Sequence, residues 1–149
     1  MKTKLLTPDL SIMPQVSETD IAELSRRGFK SIISNRPDGE AAEQPAWATI
    51  AAAAHIHGME ARHIPVVAGQ IDDNDVAAFA AALRDLPTPI AAFCRTGTRA
   101  ALLWALANEG SQTADERIRI AAAQGYDLEP FRARIEQLST STPSAAKGD

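Results

Sequence analysis

Cys94 is the one cysteine of the 149 residues, and it opens the segment Cys94-Arg95-Thr96-Gly97-Thr98-Arg99. The residues before it, Ile90-Ala91-Ala92-Phe93, are apolar throughout, and Ala100 to Asn108 after it carry a helical pattern. A strand-to-helix turn of this kind points successive backbone N–H groups into one concavity and adds the positive end of a helix dipole. Gly97 lets the chain turn where a side chain would interfere. Arg95 and Arg99 add permanent positive charge. A cysteine held there is expected to act as a thiolate nucleophile toward an anionic substrate. A lone cysteine after an apolar strand is ordinarily a small buried hydrophobe. Two arginines and a glycine-bearing turn have no use in that role, so the functional reading is preferred.

The loop resembles the cysteine loop shared by rhodanese sulfurtransferases and cysteine-based protein phosphatases. Phosphatases of the tyrosine and dual-specificity type show C-x-x-G-x-x-R, whereas rhodaneses show the shorter C-R-x-G-x-R. Here four residues separate Cys94 from Arg99, which is the shorter form. Loop length therefore ranks a sulfurtransferase first. In that reaction Cys94 takes an outer sulfur as a persulfide, while Arg99 and the loop amides hold the anion. Arg95 sets the local potential, and the hydroxyls of Thr96 and Thr98 brace the loop. With no second cysteine, the persulfide must pass to an external thiol acceptor.

The alternative is a phosphatase that works through a phosphocysteine on Cys94. Arg99 would then clamp the phosphoryl oxygens bidentately, and Asp72 or Asp73 would protonate the leaving alcohol. A third reading is a non-enzymatic module that senses anions or persulfides. All three imply a small anionic sulfur or phosphate ligand, and none calls for a cofactor or a metal.

A wider resemblance rests on Gly28-Phe29-Lys30-Ser31-Ile32-Ile33, Asn35-Arg36-Pro37-Asp38-Gly39-Glu40, Ile64-Pro65-Val66 and Phe93 to Arg99, in that order. The chain from Leu10 to Leu138 is similar to the phosphatase-like domain of the β-lactamase hydrolase-like proteins. The resemblance implies a fold like that of dual-specificity phosphatases. Members of that family have been labelled both phosphatases and sulfurtransferases, and some carry a fused metallo-hydrolase or sulfur dioxygenase domain.

The elements that must position the loop follow from periodicity. Leu10–Met13, Lys30–Ser34, Ala61–Val67 and Ile90–Phe93 read as strands. Helical runs separate them, from Ser17 to Arg27, from Pro45 to His57, and from Asp72 or Asp73 to Leu86. Two more helices are expected near Thr113–Gln124 and Glu129–Leu138. This alternation predicts a three-layer α/β domain with a four- or five-stranded, mainly parallel sheet flanked by helices. Ligands bind such sheets beyond the carboxyl ends of the strands. Arg36, Asp38 and Gln70 should therefore border the site. Asp72 and Asp73 also suit helix capping, which is the preferred reading of both. His55-Ile56-His57 lacks the Asp and His that would complete a metallo-hydrolase motif and reads as a helix end.

Residues 1–9 are expected to be an N-terminal extension, 10–138 the domain, and 139–149 a disordered Ser/Thr/Ala/Pro tail. The 15 Lys plus Arg against 19 Asp plus Glu give a net charge of -4 and no basic stripe, which disfavours nucleic acid. No apolar run is long enough to span a bilayer. A single cysteine excludes an internal disulfide and a multi-cysteine zinc site, and it points to the cytoplasm.

Overall fold

Each central strand carries apolar side chains on both faces, as a sheet sandwiched between helices requires. The computed structural model describes residues 1–138 and contains five strands. They are β1 (Lys4–Thr7), β2 (Leu10–Met13), β3 (Ser31–Ser34), β4 (Glu60–His63) and β5 (Ile90–Phe93), in the spatial order β1-β2-β5-β3-β4. All neighbours pair in parallel except β1, which is antiparallel to β2. Helices α1 (Glu18–Arg26), α2 (Trp47–Ile56), α3 (Asp73–Asp85), α4 (Thr98–Ala107) and α5 (Ala114–Ala123) connect and follow the strands. A 3₁₀ turn, Glu129–Phe131, leads into a last helical stretch over 132–138. The chain is thus the expected three-layer α/β domain.

Alternation along the strands divides the core in two. Ile12, Ile33, Ile90 and Ala92 face α3, α4 and α5, with Phe79, Leu103 and Ile118 among their partners. Met13, Ile32, Ala91 and Phe93 face α1 and α2, with Ile21, Leu24 and Ile50. Helix α4 is buried from Ala100 to Leu106, which fixes the element that follows the cysteine loop.

Three helices start on reciprocal capping boxes, Ser17 with Asp20, Asp72 with Asp75, and Thr113 with Glu116. Helix α2 does otherwise. Its N-cap is Ala46, and Pro45, expected to open the helix, stands one residue before that cap. The carboxylate of Asp38 instead accepts the Trp47 N–H at 2.8 Å, from nine residues away. Arg117, 1% exposed, donates through Nη1 to the Ala105 carbonyl and through Nε to the Gln112 carbonyl, closing the end of α4.

Three boundaries differ from expectation. Part of segment 1–9 belongs to the sheet, because β1 pairs with β2 through Lys4–Ile12 and Leu5–Ser11. Strand β4 ends at His63 rather than Val67, since Pro65 has no N–H for a ladder. The last helix begins with a 3₁₀ turn containing Pro130. The tail expected over 139–149 lies outside the described residues. Among those described, no helix is long and apolar enough to cross a membrane.

Candidate active site

The carboxyl ends of β2, β3, β4 and β5 point the same way, so the four loops that follow them meet at one edge of the sheet. Gln15 comes from the first loop, Arg36 and Glu40 from the second, Val66 from the third, and Cys94 from the fourth. Asn35 ties three of the strands together there. Its N–H donates to the Phe93 carbonyl at 2.8 Å and its Nδ2 to the Ile64 carbonyl at 2.9 Å.

Cys94 is 1% exposed and lies at the base of its loop. The Gly97 N–H donates to its Sγ at 3.0 Å. Gly97 has a φ of 105°, a left-handed conformation that favours glycine. A Cβ there would also collide with Tyr126 Oη, so the position is closed to larger residues twice over. As the N-cap of α4, Gly97 offers no side chain; the Thr98 N–H donates to Thr96 Oγ1 at 3.5 Å, which leaves the Arg99 and Ala100 amides of the first turn to an incoming anion. The Thr96 and Thr98 hydroxyls bond each other at 3.2 Å across the turn. Tyr126 Oη, behind the loop, donates to the Thr96 carbonyl at 3.4 Å. Burial first, and then the charge of Cys94, raise the Tyr126 phenol above its ordinary value, so it stays a donor.

Arg99 is held on one edge. Its Nη1 donates to Glu40 Oε2 at 2.7 Å and to the Val66 carbonyl at 2.9 Å, while Nη2 donates to Glu40 Oε1 at 2.9 Å. That leaves Nε–H and the second Nη2 proton, the other planar edge of the guanidinium, with no oxygen acceptor among the described residues. Glu40 also accepts from Arg36 Nε at 3.0 Å, and Arg36 Nη1 donates to Gln15 Oε1 at 3.0 Å. Two guanidiniums share one carboxylate, so the cluster keeps net positive charge beside the cysteine. The Arg99 guanidinium is raised above its ordinary value, chiefly by Glu40 against the effect of burial, with the Cys94 sulfur contributing.

Glu40 is pushed down to about 2, first by its bond to Arg99, partly offset by burial, and then by Arg36. A carboxylate whose folded value lies below its unfolded one contributes stability that is present above the unfolded value and lost as pH falls. The window here runs from 4.5 down to about 2. Glu40→Gln is expected to be less stable than the parent at neutral pH. The gap should close as pH drops through that window, as read from denaturant midpoints at several pH values.

A cavity of about 210 Å³ opens over the loop. Arg95, Thr96, Thr98 and Arg99 form one side of it, and Ala68, Gly69 and Ile71 another. Leu102 and Phe131 complete the lining. The structure therefore brings four of the expected loop residues together around one space. Cys94, buried at the base of the loop, and Gly97 do not themselves line it, and the other expected residues sit elsewhere. Asp72 caps α3, and Asp73 is exposed with a 3.3 Å contact to Arg134 Nη2. Neither lines the cavity, and Gln70, exposed beside Ile71, does not line it either. Asp38 caps α2, while Arg36 braces the site through Glu40. Glu40, Tyr126 and Phe131 were absent from the sequence-derived site. Glu40 was legible only as a turn residue of Arg36-Pro37-Asp38-Gly39-Glu40.

The model of the phosphatase-like domain of beta-lactamase hydrolase-like proteins matches residues 2–111. A beta-lactamase hydrolase-like protein of Xylella fastidiosa (strain 9a5c) is 33% identical over 136 residues, which is 90% of this chain and 32% of that protein. The chain thus spans about a third of the length of the curated relatives it matches. The crystal structure of a phosphatase candidate from Neisseria meningitidis Z2491 is 39% identical, with a TM-score of 0.80, over 90% of this chain and 96% of that one. At 13% identity a kinase associated phosphatase shares the fold alone, with a TM-score of 0.65 over 94% of this chain and 87% of that one. These neighbours favour the phosphatase reading over the sulfurtransferase that loop length had placed first.

Proposed function

The chain belongs to the family of the phosphatase-like domain of beta-lactamase hydrolase-like proteins, and from that premise we propose that it is a cysteine-dependent phosphatase acting on small phosphate monoesters. The observation that carries this reading is Arg99. Glu40 and Val66 fix one edge of its guanidinium and leave the other edge for a phosphoryl group beside Cys94. The Cys94 thiolate attacks phosphorus and forms an S–P bond as the ester P–O bond breaks. The leaving oxygen departs with the bonding pair and takes its proton from solvent. Water then attacks the phosphocysteine, releasing inorganic phosphate and restoring the thiolate. The Arg99 and Ala100 amides in the first turn of α4 and the second edge of Arg99 meet the charge on the phosphoryl oxygens throughout.

Asp72 is a cap in this account rather than the acid. Asparagine caps a helix about as well as aspartate but cannot donate a proton to a leaving group. Asp72→Asn is therefore expected to keep kcat for an aryl phosphate within about threefold, whereas loss of a general acid would cost about 10²–10⁴-fold. Steady-state rates on one aryl phosphate distinguish the two.

Sulfur transfer is the second reading, supported by the four residues between Cys94 and Arg99. Its external thiol acceptor would have to relieve Cys94 of a persulfide. A paired assay separates the reactions. The protein and its Cys94→Ser variant are tested for aryl phosphate hydrolysis and for sulfane-sulfur transfer to a small thiol. Cys94-dependent phosphate release without sulfur transfer supports the phosphatase. The reverse pattern supports the sulfurtransferase, and inertness of both proteins in both assays supports a sensing role.

A further inference from the structure

The cavity over the loop has two chemical halves, and one residue of the second lies outside the segment that the family model matches. The anion-binding half is built by Arg95, Arg99 and the threonine hydroxyls between them. The opposite half is apolar, made by Ile71, Leu102 and Phe131. Phe131 lies beyond residue 111, where the family match ends. Leu128 and Ile135 are both 0% exposed, so they anchor the segment on either side and hold the half-buried Phe131 ring toward the cavity. Arg134 fixes the facing loop, donating from Nη1 to the Ile71 carbonyl at 2.8 Å and reaching Asp73 at 3.3 Å through Nη2.

We propose that Phe131 is a specificity-determining residue that receives the organic part of the substrate, selecting a phosphate monoester whose leaving group is a single flat apolar ring. This rests on the phosphatase reading above. A ring fits an apolar wall with an aromatic face, where offset stacking adds to burial. The volume is below the ~300–1,000 Å³ of sites for larger ligands, which suits one ring rather than a nucleotide. The chemistry agrees. None of the described residues lining the cavity is a carboxylate. A phenolate, whose parent phenol has a pKa of about 10, leaves unaided far more readily than the strongly basic oxygen of an aliphatic alcohol.

The test compares 4-nitrophenyl phosphate with acetyl phosphate, a ringless substrate that also has a good leaving group. For Phe131→Ala, KM for 4-nitrophenyl phosphate should rise about 3- to 10-fold with kcat within about twofold. Acetyl phosphate kinetics and inhibition by inorganic phosphate should stay unchanged. Phe131→Tyr, which keeps the ring, should behave as the parent, and Phe131→Leu should fall between. Equal losses on both substrates, or an unchanged KM for the aryl ester, would overturn the proposal while leaving the phosphatase standing. A parent protein that hydrolyses neither substrate would overturn the phosphatase reading itself.

Discussion

Replacing Cys94 by serine is expected to lower aryl phosphate turnover by about 10⁴–10⁶-fold, the scale seen when a covalent nucleophile is removed. Serine is nearly isosteric, so the loop should keep its shape. The Gly97 N–H that points at Sγ would find Oγ instead. The alcohol, however, is a far weaker nucleophile than a thiolate, and among the described residues no base hydrogen-bonds that position to activate it. Because Arg99 and the α4 amides are untouched, inorganic phosphate should still inhibit or bind the variant with near-parental affinity. That separation, lost chemistry with retained anion binding, is the signature of a nucleophile rather than of a structural thiol. If turnover survives in the variant, the nucleophile is not Cys94 and the mechanism above is wrong.

Arg99→Lys is the second large effect, with an expected loss of about 10²–10³-fold in kcat. Arginine does two tasks here that lysine cannot combine. One planar edge meets Glu40 and Val66, and in the proposed reaction the other would take the phosphoryl group. An ammonium has its donors on a single nitrogen, and a lysine that pairs with Glu40 presents no second fork to the substrate. The loss should fall mainly on kcat, since the bidentate contact strengthens as charge builds on the phosphoryl oxygens. An Arg99→Lys enzyme with parental kcat and only a raised KM would mean that Arg99 binds the ground state alone.

The layers of this fold were legible because their causes are local. Ile90–Phe93 is short and apolar, and Ser17-Glu18-Thr19-Asp20 is a capping box on sight. Strand β1 was not legible, since Lys4–Thr7 has no clean alternation and is held by its pairing with β2. The site divides in the same way. Cys94, Arg95, Thr96, Gly97, Thr98 and Arg99 are adjacent in sequence, and their types announce anion chemistry. Glu40 is 59 residues from the arginine it holds, and Tyr126 is 30 from the carbonyl it supports. Nothing in either local segment states that partnership. Asp72 was ambiguous for a different reason, because a carboxylate before a helix can serve as cap or acid; the cap was preferred, and its bond to the Asp75 N–H is a capping bond. Loop length points the other way. The spacing between Cys94 and Arg99 ranked sulfur transfer first, while the surrounding fold and its neighbours favour phosphate chemistry.

The central claim is that Cys94 carries the phosphoryl group between substrate and water. Rapid mixing with an aryl phosphate, acid quenching and mass spectrometry of the peptide that contains Cys94 tests it most directly. A phosphoryl adduct on Cys94 is expected to form before steady-state turnover and to be missing in Cys94→Ser. A sulfur adduct on Cys94 after exposure to a sulfane donor, with no phosphoryl adduct from any phosphate ester, would contradict it.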